Sequence, residues 1–495
     1  MNMSVNLNKD QFKQYQNKGF NRIPLVRSCY ADLETPLSIY LKIANTSYSY
    51  LLESVEGGEN FGRYSIIGLP AKKIFQVHGT EIKIIEDGKS SSVKHESDPL
   101  EYFNKYLNTF KTPIDLDLPR FSGGLAGYFG YETIHYIEPK LIKKFIKDEL
   151  NLPDIHLMES DEVIVFDNLT SKLSIVVYAN EKDDSYDQAL TRINRIEEII
   201  NSAHISNKND VSMNNEPQLA SSEFGEQAFY DAVDKIKNYI LEGDVMQVVL
   251  SQRLVKNFAI PPISLYRVLR SINPSPYMFF YHLDDHFIVG ASPEILVRLE
   301  NNKVTVRPIA GTRPRGQDFQ QDQDLERDLL NDPKEIAEHI QLMDLGRNDI
   351  GRVSKPGTVK VTDNMKIERY SHVMHIVSNV EGEIQKNLSP LDVLRATFPA
   401  GTVSGAPKVR AMEIINELEK TKRGVYAGAV GYIGFNGTLD VAIAIRTAVI
   451  KEKKLYVQAG AGVVADSIAK NEWDETNNKA KAVIRAAEIA EKDFS

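Results

Sequence analysis

The sequence predicts an α/β or α+β fold with substantial antiparallel pairing. Strand-like and helix-like runs alternate along the C-terminal part of the chain. The dipeptide Asn436-Gly437 is a hairpin signal between two strand-like runs, and no internal repeat or low-complexity tract dictates another architecture. Residues 1–200 read as strands and short helices, with strand patterns over 163–166 and 173–178. Residues 201–223 are rich in Asn, Ser and Lys and poor in large apolar side chains, which predicts a linker. A helix is expected over 226–241, stopped by Gly243, and then a strand over 245–255. Further on, a strand is expected over 304–309 and a helix over 333–345. Strands follow over 426–433, 441–450 and 454–461, and a last helix over 468–492.

The chain has 495 residues, enough for two or three ordinary domains or one large composite fold. Its net charge of −9, with no dense basic stretch, argues against a general nucleic-acid binder. The first residues are polar rather than signal-like, and no apolar run is long enough to span a bilayer. The one cysteine, Cys29, allows no intramolecular disulfide and no cysteine-based metal cluster. Together these predict a cytoplasmic location.

Two pairs of glutamates, Glu335/Glu338 and Glu472/Glu475, are spaced i, i+3 within helical patterns, so each pair presents two carboxylates on one helix face. Four carboxylates at one point suit a hard divalent cation, and an oxygen-only donor set favours Mg²⁺. A solvated helix face is the plain alternative for either pair. For Glu335 there is also a capping box, because Asp332-Pro333-Lys334-Glu335 puts an acid at N-cap, proline at N1 and glutamate at N3.

On a continuous strand over 441–449, Arg446 shares a face with Ala442, Ala444 and Ala448. A guanidinium in so tight a space needs an anion, either a protein carboxylate or a substrate carboxylate held bidentately. The loop 399–408, with Thr402, Ser404, Gly405 and Lys408, leads into a helix. It reads either as an anion nest or as a plain loop capped by Ser404. Gly460, Ala461 and Gly462 lie in a small-residue run that could admit a ligand against bare backbone, or simply turn tightly. His375 shares a strand face with Val373 and Val377, as a packed residue or as an acid/base group beside the metal.

These blocks, taken in order, resemble the chorismate-utilising enzymes. The resemblance rests on Pro308-Ile309-Ala310-Gly311-Thr312-Arg313, on Glu335 to Glu338 with Arg347-Asn348-Asp349, and on the 399–408 loop. It extends to Ala444-Ile445-Arg446-Thr447, the 459–462 run and Glu472 to Lys479. It covers nearly the whole chain and is dense over 225–490. It implies an α+β, sandwich-like fold of large, mainly antiparallel sheets packed with helices. It also implies an N-terminal regulatory part (1–200), a linker (201–223) and a C-terminal catalytic part (224–495).

Within that family, Ala310 stands where aminodeoxychorismate-forming members often carry lysine, and a methyl group cannot attack chorismate. Gln247 stands where water-using members carry a lysine base. The resemblance therefore implies a Mg²⁺-dependent lyase of tryptophan biosynthesis that converts chorismate and ammonia to anthranilate and pyruvate. An aminodeoxychorismate-forming enzyme and a non-catalytic tryptophan-binding regulator are the alternatives. Carried over residue by residue, Glu338 and Glu475 would be the nearest Mg²⁺ ligands, supported by Glu335 and Glu472. Thr402, Gly460, Ala461, Gly462, Tyr426 and Arg446 would hold substrate, with His375 and Gln247 beside the reacting ring. A strict two-residue turn at Asn436-Gly437 would, however, pair Arg446 with Ala427 and send Tyr426 to the opposite face.

Leu51-Leu52-Glu53-Ser54 resembles the feedback-inhibition motif of tryptophan-sensitive members, and the segment with Pro276, Tyr277 and Met278 resembles its partner. An ordinary strand end and a proline-rich turn are the respective alternatives. Cys29 lacks the glycine elbow of a glutaminase nucleophile. The resemblance therefore implies a separate glutamine amidotransferase subunit that supplies ammonia, in a heterotetramer.

Overall fold

The computed structural model describes residues 5–54, 62–94, 98–142, 148–180, 185–203, 219–370 and 373–494. Among these residues, two twelve-stranded sheets face each other, and helices cover their outer faces. Strand alternation builds this arrangement directly. Tyr50 on strand Ser49–Glu53 points between the sheets, where it meets Tyr281 from its own sheet and Ala126 and Tyr128 from the other. Its neighbour Leu51 points outward to Tyr40, Ile193 and Leu269 of the covering helices. On the second sheet Leu125 likewise packs outward with Phe103 and Leu394. Among the described residues, no helix is long and apolar enough to cross a membrane.

Both sheets are shared between the two stretches of chain on either side of 204–218. Strand Ser49–Glu53 pairs antiparallel with Tyr277–His282, placing Glu53 opposite Met278. Strand Gly124–Phe129 pairs antiparallel with Ala429–Gly434. Most of the expected linker, 204–218, lies outside the described residues. Its ends are structured: helix Ser185–Ser202 closes one side, and Ser221–Ser222 pairs with strand Gln247–Asn257 on the other.

Several expected elements shift, each for a physical reason. The helix over 226–241 forms as Glu226–Leu241. The helix expected to stop at 345 continues as Pro333–Gly351, since nothing before Gly351 breaks it. Asp332 caps it by accepting from Lys334 N and Glu335 N, but Glu335 does not close a capping box; its carboxylate takes Arg313 at 3.3 Å instead. Ser404 is not a helix cap. Its hydroxyl donates to Ala400 O, and helix Lys408–Leu418 starts behind Pro407.

The largest difference lies at 441–450, which is two strands in two sheets. Leu439–Ile443 belongs to one sheet and Thr447–Lys451 to the other, so residues 444–446 carry the chain across. Arg446 turns the corner in the left-handed region at φ 52°. The alternation that put Arg446 among alanines on a continuous strand therefore does not apply.

The Asn436-Gly437 turn is also longer than two residues. Gly434 N donates to Thr438 O at 2.8 Å, and Ile433 pairs with Leu439. Tyr426 lies in a turn before strand Ala429–Gly434 rather than on it, which removes the conflict of faces.

Because each half supplies inner strands of both sheets, neither half can close its core alone. A fragment of residues 219–495 expressed alone should aggregate, and co-expression with residues 1–203 should restore soluble, folded material. Circular dichroism and size-exclusion chromatography check this; a monomeric, cooperatively melting 219–495 fragment would contradict it.

Candidate active site

The N-terminal turns of helices Pro333–Gly351 and Ala469–Asp493 bring the two glutamate pairs into electrostatic contact. Glu338 is held above the usual carboxylate range by burial, then by Glu335 and by Glu475 of the other helix, while Lys479 opposes the rise. Burial raises Glu472 as well; Ser467 opposes the rise, Glu475 adds to it, and Lys479 and Lys334 oppose it. Lys479 bonds Glu475 at 2.6 Å and Gly460 O at 3.0 Å. Arg313 reaches Glu335 while also pairing with Asp328 and Asp332 at 2.6 and 2.7 Å.

Among the described residues, no three acidic or histidine side chains stand close enough together to hold an ion. The donor chemistry nevertheless fits a hard divalent cation. All four groups are carboxylates, and two are raised by burial and by like charge.

Arg446 opens into a cavity of 460 Å³ with Asn471, Asp474, Glu475, Asn478 and Lys479. Burial lowers its pKa, and Tyr426 and Glu475 oppose that shift. It has no ion-pair partner among the described residues, unlike the buried Arg298 and Arg423. A half-buried guanidinium in this state is a receptor for an anion.

Close backbone approach shapes the floor of the site. A Cβ on Gly460 would lie 2.8 Å from the Tyr426 hydroxyl, and one on Gly462 would lie 2.5 Å from the Gln247 amide nitrogen. Both glycines sit on strand Lys454–Val463, opposite Ser251 and Val249 of strand Gln247–Asn257. Ala461, one position between them, faces the other way by strand alternation and can offer the site only its backbone. Burial raises the Tyr426 phenol to about 12, so it is a neutral donor.

His375 stands on strand Val373–Glu383, whose packed face is Met374 and Ile376 against Leu329. The imidazole lies on the opposite face. Its Nδ1 meets Gly311 O at 3.1 Å and Thr312 Oγ1 at 3.0 Å. The carbonyl can only accept, so Nδ1 carries the proton and Nε2 remains an acceptor. Burial lowers its pKa, Gly311 O opposes, and Arg446 lowers it further, keeping the ring neutral.

Thr402 lies in the short turn Gly401–Val403 and donates to both carboxyl oxygens of Glu294, at 3.2 and 3.3 Å. Sequence reading missed Glu294, which sits outside any glutamate pair in Ser292-Pro293-Glu294. Burial pushes its pKa to about 8, against the opposing effects of Thr402 and Lys479. It is thus a buried, protonated acid near neutral pH, and only the fold reveals it.

The residues singled out for inhibitor binding gather elsewhere. Glu53, Ser54, Pro276, Tyr277 and Met278 line a separate cavity of 720 Å³ that lies across the paired strands of the two halves. Glu53 is buried and accepts from Tyr266 at 2.6 Å and from Arg270 at 2.9 and 3.1 Å. Two further residues of this cavity, Asp440 and Arg298, were not legible in the sequence. Asp440 accepts from Tyr277 Oη and Arg298 Nε, each at 3.0 Å.

A family model described as chorismate binding enzyme matches residues 49–485. Anthranilate synthase component 1 of Neisseria meningitidis serogroup B is 54% identical over 489 residues, covering 98% of this chain and 99% of that protein. The protein of the same name from Pseudomonas putida is 51% identical over 490 residues, covering 98% and 99%. The crystal structure of anthranilate synthase component I from Streptococcus pneumoniae superposes with a TM-score of 0.78 at 37% identity, covering 92% of this chain and 98% of that one. With its matched region spanning both glutamate pairs, Arg446 and the strands that carry Glu53 and Tyr277, the chain belongs to the chorismate binding enzyme family.

Proposed function

We propose that this chain is the large subunit of an anthranilate synthase, converting chorismate and ammonia to anthranilate, pyruvate and water. The observation that carries the reading is Arg446, a guanidinium with no ion-pair partner among the described residues, set in a cavity that Glu475 also lines. Such a site suits a small dianion, with one carboxylate on Arg446 and the Tyr426 hydroxyl and the other toward the glutamates. Glu338 and Glu475 would hold Mg²⁺, with Glu335 and Glu472 in support. A bound Mg²⁺ would anchor the ring carboxylate and draw electron density toward it.

This chain's own groups would do the rest. Glu294, protonated near neutrality, can give its proton to the departing 4-hydroxyl. Ammonia needs no base to act as a nucleophile, and Gln247 supplies an amide rather than a base at the floor of the site. Neutral His375 presents Nε2 as an acceptor, suited to a ring proton. The methyl group of Ala310 supports this reading over the aminodeoxychorismate-forming one.

Ammonia would come from a separate glutamine amidotransferase subunit in the cytoplasm, as a heterotetramer. Tryptophan would inhibit from the 720 Å³ cavity, whose Leu52, Pro276 and Met278 suit an aromatic ring and whose Glu53, Arg298 and Asp440 supply charge.

Purified chain given chorismate, ammonium and Mg²⁺ should yield anthranilate and pyruvate by mass detection, and a chelator should stop it. With glutamine in place of ammonium it should yield nothing, and glutamine-dependent turnover by the chain alone would contradict the separate subunit. Glu338→Gln should lower turnover at least about a hundredfold without lowering the melting temperature, because it removes one of several like charges. An unfolded variant would point to a structural role instead.

Activity should fall as pH rises through about 8, because Glu294 loses its proton there. Glu294→Gln should cut kcat about 10²- to 10⁴-fold and flatten that alkaline limb; an unchanged limb would contradict the role. Ser54→Ala should keep activity and weaken tryptophan inhibition, read as the shift in half-inhibitory concentration. Unchanged inhibition would remove the regulatory assignment.

A further inference from the structure

Tyr426 owes its place to a buried network that the catalytic reading does not use. Arg423 is almost wholly buried and forks onto Glu419, with Nε to Oε2 at 2.8 Å and Nη2 to Oε1 at 2.7 Å. Its remaining donors reach two separate walls of the site. Nη1 donates to Val403 O at 2.7 Å, next to Thr402, and Nη2 donates to Val249 O at 2.8 Å, on the strand that begins with Gln247. The same guanidinium lies 5.5 Å from the centre of the Tyr426 ring and 4.7 Å from that of Tyr131. Glu419 is itself fixed by Ser251 N and Oγ, at 2.9 and 2.8 Å.

The backbone of this turn is held from the other half of the chain. Glu132 is buried, and its two oxygens accept from Arg423 N at 3.1 Å and Gly424 N at 3.0 Å. Tyr131 N donates to Gly424 O at 2.7 Å, so the clamp grips both edges of one residue. Beyond it, Tyr426 N bonds Arg423 O, and Ala427 N bonds Ala444 O at the crossover that leads to Arg446. The Tyr426 hydroxyl then rests over Gly460.

We propose that Arg423 and Glu132 are positioning residues: they set the Tyr426 hydroxyl beside Arg446, and so fix how the substrate carboxylate is held. A buried arginine committed to four hydrogen bonds and two ring contacts is costly to place for stability alone, since an apolar residue of similar volume would serve. What it adds is registry among three site-bearing segments. The proposal rests on the functional reading above and deepens it.

The test is steady-state kinetics of Glu132→Gln, Arg423→Lys, Tyr426→Phe and the double variant Glu132→Gln/Tyr426→Phe, with chorismate, ammonium and Mg²⁺. Glutamine at 132 keeps the shape but sets an amide N–H against one of the two backbone donors. Glu132→Gln should raise KM for chorismate about fivefold to tenfold while kcat stays within about twofold. The double variant should be no worse than Tyr426→Phe alone, because the clamp acts through that hydroxyl. Arg423→Lys should show the same KM effect.

Should Arg423→Lys fail to fold, the Glu132 arm decides. An unchanged KM in Glu132→Gln, or additive losses in the double variant, would overturn the proposal and leave a structural role. A wild-type chain inert toward chorismate would instead overturn the functional reading, and the proposal with it.

Discussion

A strand that changes sheets governs this molecule. From Leu439 to Ile443 the chain runs in one sheet, and from Thr447 to Lys451 it runs in the other. In a sandwich with helices on both outer faces, such a crossing is a rare place where a charged side chain can enter from within the fold and still meet a cavity. Arg446 stands at that corner with its backbone in the left-handed region. Burial has removed much of its water, and among the described residues no carboxylate forms an ion pair with it, although Tyr426 and Glu475 act on it electrostatically. The last helix lines the cavity into which that charge opens.

The same strand relates the two cavities. Asp440 lies in the 720 Å³ cavity, bonded to Tyr277 and Arg298, and the chain that leaves it arrives at Arg446 in the other cavity. Glu53 on one half of the sequence and Met278 on the other are paired across the first cavity. The N-terminal half also reaches the turn that carries Tyr426, where Glu132 clamps the Arg423-Gly424 backbone. The two cavities are therefore joined through one strand crossing, although they share no lining residue.

Much of this was legible in the sequence. Both i, i+3 glutamate pairs lie in helices, as their spacing predicts, and the small residues at 460 and 462 are positions of close approach by Tyr426 and Gln247. The family likeness is what links those local signals in the sequence. What local pattern could not supply was tertiary. Alternation along 441–450 assumed one continuous strand, because nothing in Ala444-Ile445-Arg446 announces a change of sheet. Glu294 carries no motif, since its raised pKa comes from burial and from a contact with Thr402 more than a hundred residues away. Asp440 and Arg298 carry no motif, and they meet only because strand pairing sets them opposite each other. The sequence left open several domains or one composite fold, and register gives the stretches on both sides of 204–218 a share of each sheet.

We propose that Arg446 awaits an anionic substrate. Calorimetric titration of chorismate into wild type and Arg446→Gln, with Mg²⁺ present and ammonium absent, tests this. The variant should bind about a hundredfold more weakly, the loss expected of a charge-assisted contact made with little exposure to water. The free variant should melt no lower than wild type, because an unpaired buried charge has been removed. Equal affinity in the two proteins would contradict it.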